Sequence, residues 1–339
     1  MNRRPTSKDV AALAGVSQAT VSYVLNNNPR QSIRPETRDK ILAAAKELGY
    51  MPNTMAQALR GGRCGCIGVV VSSSILTPRY TLAFQGIRDA LGQNGQSLML
   101  CGEHIQENGL PEIINAWLKR SIDAIIYLAN NNNEIPAHML EQIYTHKIPT
   151  VALDCMSGDP GISSVCFDYT AGARDAANML LSDIKNRRLV YIRPEADTLQ
   201  EQQREQGIVE AVNGCPGTSL SYVRLPADIT DSSPESMISE LEKRLCPLPE
   251  NAVYICSWNV WADMIIHSLR RNNRRLPLLS LTQDTGISLA ELEGWLICSQ
   301  LPSYEAGCRC VGILAGLMEQ PGDVIKTTLQ PYLKTLPHF

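Results

Sequence analysis

At 339 residues the chain is long enough for two or three domains. Hydrophobic residues make up 44% and charged residues 19%, which allows a sizeable core and excludes a disordered tail. The net charge of −3 hides an asymmetry: residues 1–63 carry ten Lys/Arg against four acids, a net +6, which leaves −9 on the rest. A small basic head on a large acidic body points to a polyanion partner; a solvated basic face is the alternative that charge alone leaves open. No run approaches the ~18 consecutive apolar residues of a membrane span. Met1-Asn2-Arg3-Arg4-Pro5-Thr6 leads into polar residues with no apolar export stretch, so a cytoplasmic protein is expected. Eleven cysteines are then read as reduced thiols and not as a disulfide frame.

In chain order, Thr6 stands three residues ahead of Asp9, as in a capping box, and Val10, Leu13 and Ala14 recur at helical spacing. Gly15-Val16 breaks that helix, and Ser17 can cap a second one from Gln18 to about Asn26. On this second helix Val21, Val24 and Leu25 form the inward stripe, while Gln18, Ala19, Ser22, Tyr23 and Asn26 lie opposite. A third helix is expected from Pro35 to Leu48, with Gly49 as its stop and Ile41, Leu42, Ala45 and Leu48 as its stripe. Two short helices joined by a Gly turn and closed by a third make a helix-turn-helix, whose second helix enters the DNA major groove. Short polar side chains near that helix's start can reach base edges: Gln18 suits adenine, Ala19 a thymine methyl, and Tyr23 can donate or stack one turn later. Thr6, Ser22, Asn26 and the nearby Arg and Lys side chains suit phosphates, and Ser17 and Thr20 are further candidate DNA contacts. An ordinary three-helix core fits the same apolar positions.

The strings KDVAALAGVSQATVSYVLN and RPETRDKILAAAKELGYMPNTMAQALRGGR resemble the lac-repressor/galactose-repressor (LacI/GalR) family of bacterial transcription regulators. The resemblance implies that Gln18, Ala19 and Tyr23 read bases; many members carry Arg where this chain has Tyr23, so an operator sequence does not transfer. The long turn from Asn27 to Ile33, together with the Tyr, is similar to the fructose- and sucrose-repressor subgroup. Residues 51–63 form the expected hinge. Asn53 can cap a helix there and Gly61-Gly62 can end it. A helix of about seven residues is marginal alone and needs partners. The resemblance supplies them: paired hinge helices enter the minor groove, with Ala56 and Arg60 against the DNA and Leu59 wedged between base steps. A plain linker is the alternative.

From residue 64 onward, strands and helices alternate: strand 66–71, helix 80–94, strand 97–101, helix 112–120, strand 124–128, helix 139–145 and strand 150–153. A second series starts near Ser164: helix 171–181, strand 189–192, helix 200–212, strand 221–225, helix 234–246, strand 252–256, helix 261–271 and strand 278–281. The expected fold is thus α/β: a three-helix head (1–50), the hinge (51–63), and a two-lobed, doubly wound core (64–339). The core resembles periplasmic binding proteins, with its second lobe starting near 164 and late chain crossovers between the lobes. Ligands of such sheets bind outside the strand carboxyl ends, where Ser72, Ser73, Tyr80, Asp168, Arg204, Trp258, Asn259 and Gln283 are candidate effector contacts. Asp168, in Asp168-x-x-x-Gly172-x-x-x-Ala176, matches the family's pattern. Arg204, in Arg204-x-x-Gly207, matches the family's ligand-binding arginine, which can clamp a carboxylate, phosphate or vicinal hydroxyls; a surface salt bridge is the alternative. Trp258-Asn259 stands where the family has Asn-Asp, and Ser280-Leu281-Thr282-Gln283-Asp284 where it has Gly-x-Asp-Asp.

Cys64-Gly65-Cys66 and Cys308-Arg309-Cys310 invite a redox or metal reading, although one intervening residue is tight for zinc. No nucleotide loop, nucleophile elbow or paired histidine is present, so no cofactor and no catalysis are expected. The chain is therefore read as a cytoplasmic, homodimeric repressor of a near-palindromic operator, gated by a sugar or sugar-phosphate-like effector and without a membrane partner. A DNA-bound redox or metal sensor on the same scaffold is the alternative.

Overall fold

The structure is a computed structural model that describes residues 5–25, 33–50, 63–71, 78–129, 134–155, 159–182, 188–196, 198–226, 234–245, 252–257, 262, 265, 278–281, 296–320 and 322–335. It divides into two compact units, Met1–Gly65 and Cys66–Phe339.

The first unit holds helices α1 (Ser7–Ala14), α2 (Gln18–Leu25) and α3 (Pro35–Glu47). The Asp9 carboxylate accepts from both the Thr6 N–H and the Thr6 hydroxyl, each at 2.7 Å, and so fixes the start of α1. Gly15 ends α1 at φ +65°, a left-handed conformation that a side chain resists. The core is Val10, Ala11, Val21, Val24, Ile41, Ala44 and Ala45. Leu42, expected in the α3 stripe, is 48% exposed, and so is Leu13. The buried i, i+3, i+4 set on α3 is Ile41, Ala44 and Ala45, and Leu42 lies about 100° round the helix from Ile41.

The second unit is built on two six-stranded sheets. The first uses β1 (Cys66–Val71), β2 (Ser97–Cys101), β3 (Ala124–Leu128), β4 (Thr150–Leu153), β5 (Ser163–Phe167) and β11 (Lys326–Leu329), in the order β11-β5-β4-β3-β1-β2, all parallel. The second uses β6 (Arg188–Pro194), β7 (Ser219–Leu225), β8 (Ala252–Cys256), β9 (Leu278–Ser280), β10 (Leu296–Gln300) and β12 (Tyr332–Thr335), in the order β12-β10-β9-β8-β6-β7, with only β12 antiparallel. Alternation along β3 shows why its sequence is apolar throughout. Ala124, Ile126 and Leu128 face one core, shared with α4 (Pro78–Gln93) and α10 (Ser303–Glu319). Ile125 and Tyr127 face the other, shared with α5 (Glu112–Leu118) and α6 (Ala137–Thr145). Both faces of a parallel sheet are covered in this way. In the second lobe α7 (Tyr169–Ser182) and α8 (Leu199–Asn213) cover one face, and α9 (Pro234–Leu245) follows β7.

The start of the second lobe is corrected. The strand at 163–167 pairs with β4 (Leu153 opposite Val165) and with β11, so it belongs to the first sheet, and the chain crosses over only at Asp168. Alternation of elements gives their order but not which sheet a strand joins. The chain crosses back at Leu301–Pro302 into α10 and again between β11 and β12. The sequence reading did not anticipate β10, α10, β11 or β12.

Two helix contacts are set by glycine. A Cβ on Gly307 of α10 would overlap the Ala83 carbonyl oxygen of α4, and one on Gly86 would overlap the Tyr304 carbonyl oxygen. Gly207 of α8 meets the Thr170 carbonyl of α7 in the same manner. Gly307→Ala is expected to destabilise the core by about 1–3 kcal/mol through overpacking. Gly312→Ala on the same helix, where nothing lies within 4 Å, should instead stabilise by about 0.5–1 kcal/mol. Thermal melts of the two variants, moving in opposite directions, check both.

Candidate DNA-reading head and effector cleft

On α2 the Ser17 Oγ accepts the Thr20 N–H at 3.1 Å and shares a hydrogen bond with the Thr20 hydroxyl at 2.8 Å. The Gln18 side-chain amide donates to Ser7 Oγ at 2.7 Å and ties the first turn of α2 to that of α1. With Val21 and Val24 buried, Gln18, Ala19 and Tyr23 are left exposed on the outer side, and Ser22 is half-buried. The sequence-predicted contacts thus fall into two groups. Thr6, Ser17 and Thr20 hold helix starts, while Gln18, Ala19 and Tyr23 form the open face. Asn26, Ala56, Leu59 and Arg60 lie outside the described residues.

Of the candidate effector contacts, Ser72, Ser73, Trp258, Asn259 and Gln283 also lie outside the described residues. Tyr80 is buried, and its hydroxyl donates to the Ala129 carbonyl at 2.5 Å, tying α4 to the end of β3. Asp168 caps α7: one carboxylate oxygen accepts the Ala171 N–H at 2.8 Å and the other accepts Gln330 Nε2 at 3.1 Å. The Asp168-x-x-x-Gly172-x-x-x-Ala176 pattern therefore has a structural content. Asp168 is the cap, Gly172 leaves room for the Pro331 ring, and Ala176 is fully buried.

Arg204 sits in a buried polar cluster at the carboxyl ends of strands from both sheets. It is 3% exposed, so its ion pair with Glu201, itself 1% exposed, is no surface salt bridge. The other Glu201 oxygen lies 2.6 Å from Ser257 Oγ and 3.1 Å from the Tyr191 hydroxyl, and the two hydroxyl oxygens are 2.6 Å apart. With one hydrogen on each hydroxyl, two of these three contacts are donated at a time. Burial, reinforced by the Glu201 carboxylate, pushes the Tyr191 phenol well above its usual range, so it stays a donor. The Arg204 guanidinium lies 4.6 Å from the centre of the Tyr169 ring. The Tyr169 hydroxyl donates to Asp154 at 2.8 Å. Asp154 follows β4, is buried, and has φ +58°, which Asp tolerates better than most residues. The cluster thus runs from the first lobe (Asp154) through the crossover residue Tyr169 to the second lobe (Arg204, Glu201, Tyr191, Ser257).

Sequence reasoning found Arg204 but missed Asp154, Tyr169, Tyr191, Glu201 and Ser257. Two signals were available: the i, i+3 spacing of Glu201 and Arg204, and a carboxylate directly after the apolar run 150–153. A separate cavity of about 130 Å³ beside α6, lined in part by Ile135, Leu140, Ala152 and Ile162, is smaller than the ~300–1,000 Å³ of ordinary ligand sites.

The Cys308/Cys310 pair is not arranged as a sensor. Residues two apart on a helix point to different sides, and on α10 Cys310 is buried while Cys308 Sγ lies 3.4 Å from the Gly86 carbonyl oxygen. Burial pushes both the Cys308 and the Cys310 thiols up, Cys310 far more, away from the thiolate that reacts or ligates. Among the described residues no three His, Cys, Asp or Glu side chains converge as a metal site.

Removing one partner of the buried pair strands the other charge. Arg204→Ala is expected to cost about 3–5 kcal/mol of core stability. The double variant Glu201→Ala/Arg204→Ala should cost less than the two single losses added together. Denaturant unfolding of the three proteins reads this coupling, and a single loss of only ~0–1 kcal/mol, as for an exposed pair, would contradict it.

Residues 6–53 match bacterial regulatory proteins of the lacI family, and residues 67–275 match a periplasmic binding protein domain. The chain is 30% identical to catabolite control protein A of Priestia megaterium over 98% of its own length and 96% of that protein. Its fold is shared by the lac repressor dimer bound to operator and the anti-inducer ONPF, with TM-score 0.73, 19% identity and 98% of each chain covered. It is shared too by the CelR–cellobiose complex of a transcriptional regulator, with TM-score 0.62, 23% identity, 98% of this chain and 99% of that one. The head and the two-lobed core match these families over most of the chain, and the chain belongs to the LacI family of bacterial DNA-binding transcription regulators.

Proposed function

We propose that the chain represses transcription by binding a near-palindromic operator as a homodimer, and that a small molecule in the cleft beside the start of α8 sets its DNA affinity. The observation that carries this reading is the open face of α2. Gln18, Ala19 and Tyr23 are exposed opposite the buried Val21 and Val24, in a segment whose net charge is +6. A helix held by its inner face and bare on its outer one fits the major groove, and the basic surplus supplies the salt-dependent attraction to phosphates. Thr6, Ser17, Thr20, Ser22 and Asn26 are assigned to phosphate contacts, and Ala56, Leu59 and Arg60 of the hinge to the minor groove. A two-fold dimer presents two such helices, which is why the operator should be nearly palindromic.

The cellobiose bound to CelR supports a sugar-class effector. A ligand meeting Arg204, Asp168 and the residues after β8 would touch groups from both sides of the crossover. It would favour one lobe arrangement, and with it one spacing of the two heads. As a DNA-binding bacterial regulator the chain works in the cytoplasm. No helix among the described residues is long and apolar enough to cross a membrane.

The test is operator binding by fluorescence anisotropy, against random-sequence DNA and across salt concentrations. Gln18→Ala is expected to weaken operator binding by about 1–3 kcal/mol while leaving random-sequence binding nearly unchanged, since a base contact and not a phosphate contact is lost. Leu59→Ala should also weaken operator binding selectively, through loss of the kink. Equal weakening on both DNAs would withdraw the base-reading and wedge assignments.

A further inference from the structure

The guanidinium that the sequence offers as an anion clamp is already engaged inside the protein. Arg204 is ion-paired with Glu201, and the Ser257 and Tyr191 hydroxyls both lie within hydrogen-bond distance of the second oxygen of that carboxylate. At least one of them donates to it and opposes its swinging away from the arginine. Asp154, a second buried carboxylate, accepts the hydroxyl of the Tyr169 whose ring Arg204 covers. The nearby Arg193 is also buried and engaged: it pairs with Glu205 and donates to the carbonyls of Pro194 and Ala196. Each buried arginine of this region therefore has its own carboxylate. One turn before Arg204 on α8, Gln200 is 3% exposed, and its Oε1 has no hydrogen-bond partner among the described residues.

We propose that Glu201 fixes the charge class of the effector: the cleft refuses anions and takes an uncharged, polyhydroxyl ligand. The inference rests on the effector reading given above and narrows it from sugars and sugar phosphates to sugars or polyols without phosphate. A phosphate or carboxylate could reach the guanidinium only by displacing Glu201, which would leave a buried carboxylate beside the ligand's own charge. An alcohol meets no such penalty, because it can donate to a carboxylate or amide oxygen and accept from an N–H in the same site. Gln200 is suited to it. A buried amide oxygen without a donor is costly, and a ligand hydroxyl satisfies it without adding charge; which amide atom faces the ligand is interchangeable.

The experiment is isothermal titration of the full-length protein with inorganic phosphate, glucose 6-phosphate, glucose and a panel of uncharged hexoses and hexitols. Wild type is expected to show no saturable binding of phosphate or the hexose phosphate at millimolar concentration. Glu201→Gln, which keeps the shape and removes the charge, should gain saturable phosphate binding, tightened roughly tenfold or more as the freed guanidinium pairs with the anion. Glu201→Gln/Arg204→Gln should lose that gain, which assigns it to Arg204 and not to the basic head. Wild-type protein that binds glucose 6-phosphate more tightly than glucose overturns the proposal, as does a folded Glu201→Gln variant with no gain. Should Glu201→Gln fail to fold by circular dichroism, the wild-type preference between glucose and glucose 6-phosphate decides. Failure of the wider functional reading is separately visible as loss of operator binding by the wild-type protein, which none of these titrations measures.

Discussion

A parallel sheet has no face that can be left to water, and this constraint organises the core. β3 and β8 are buried along their whole length, so helices must lie on both sides of each sheet. The first lobe cannot supply all of them from its own stretch of chain. One face is closed by α4 together with α10, a helix that arrives only after the second sheet is nearly complete. The chain must therefore pass between the lobes three times, after β5, after β10 and after β11. The glycines at the α4–α10 contact follow from the same demand. Gly86 and Gly307 let the two backbones approach until a methyl group would collide with a carbonyl.

The crossovers also place the polar cluster. Directly after β5 the chain delivers Asp168 and Tyr169 to the passage, where Asp168 is consumed as the cap of α7 and Tyr169 becomes the floor on which Arg204 rests. Asp154 comes from the end of β4, and Arg204 and Glu201 from the first turns of α8, so neither lobe alone contains the cluster. Buried ion pairs contribute little net stability compared with apolar packing, yet breaking one is expensive. The Arg204–Glu201 pair lies within α8; the link toward the first lobe is made by Arg204 over the Tyr169 ring and by the Tyr169 hydroxyl on Asp154.

Much of this was legible in residue order, for reasons that can be stated. Strands 124–128 and 252–256 coincide with continuous apolar runs, strands 97–101 and 150–153 with such runs after one hydroxyl residue, and the Thr6–Asp9 box and the Gly15 stop are local chemistry with one structural meaning. What escaped was nonlocal. Ser163–Phe167 reads as a strand in any sheet, and only its partners β4 and β11 show which one it joins. Helix α10 carries Gly307, Gly312 and Gly316, a composition that argues against a helix until the contact with α4 shows what Gly307 is for. Leu42 is expected inward beside Ile41 and Ala45, whereas the helical period puts Ala44 there with them. At the cleft, Arg204 is legible because Arg204-x-x-Gly207 matches the family's ligand-binding arginine, whereas its pairing with Glu201, three residues before it, is settled only by the fold.

The head shows the converse economy of groups. Its helices α1 and α2 have eight residues each, below the ~12–15 at which an isolated helix holds in water, so they depend on a core of small apolar side chains and on their caps. Those caps use the hydroxyls of Thr6, Ser17 and Thr20, the same side chains that phosphates would engage. A hydroxyl carries one donor and two acceptor positions, and with Thr6 donating to Asp9 its hydrogen is no longer available to a phosphate. Ser17 and Thr20 share a single hydrogen bond in which one of them donates, so between them one hydroxyl hydrogen remains for DNA. Phosphate binding at the start of α2 must then come in large part from the backbone N–H groups and the positive end of the helix dipole. The discriminating contacts are left to Gln18, Ala19 and Tyr23. Of these only Gln18 has a described internal bond, to Ser7, and because a side-chain amide has a second N–H and a carbonyl, that bond orients the group while leaving it able to meet an adenine edge.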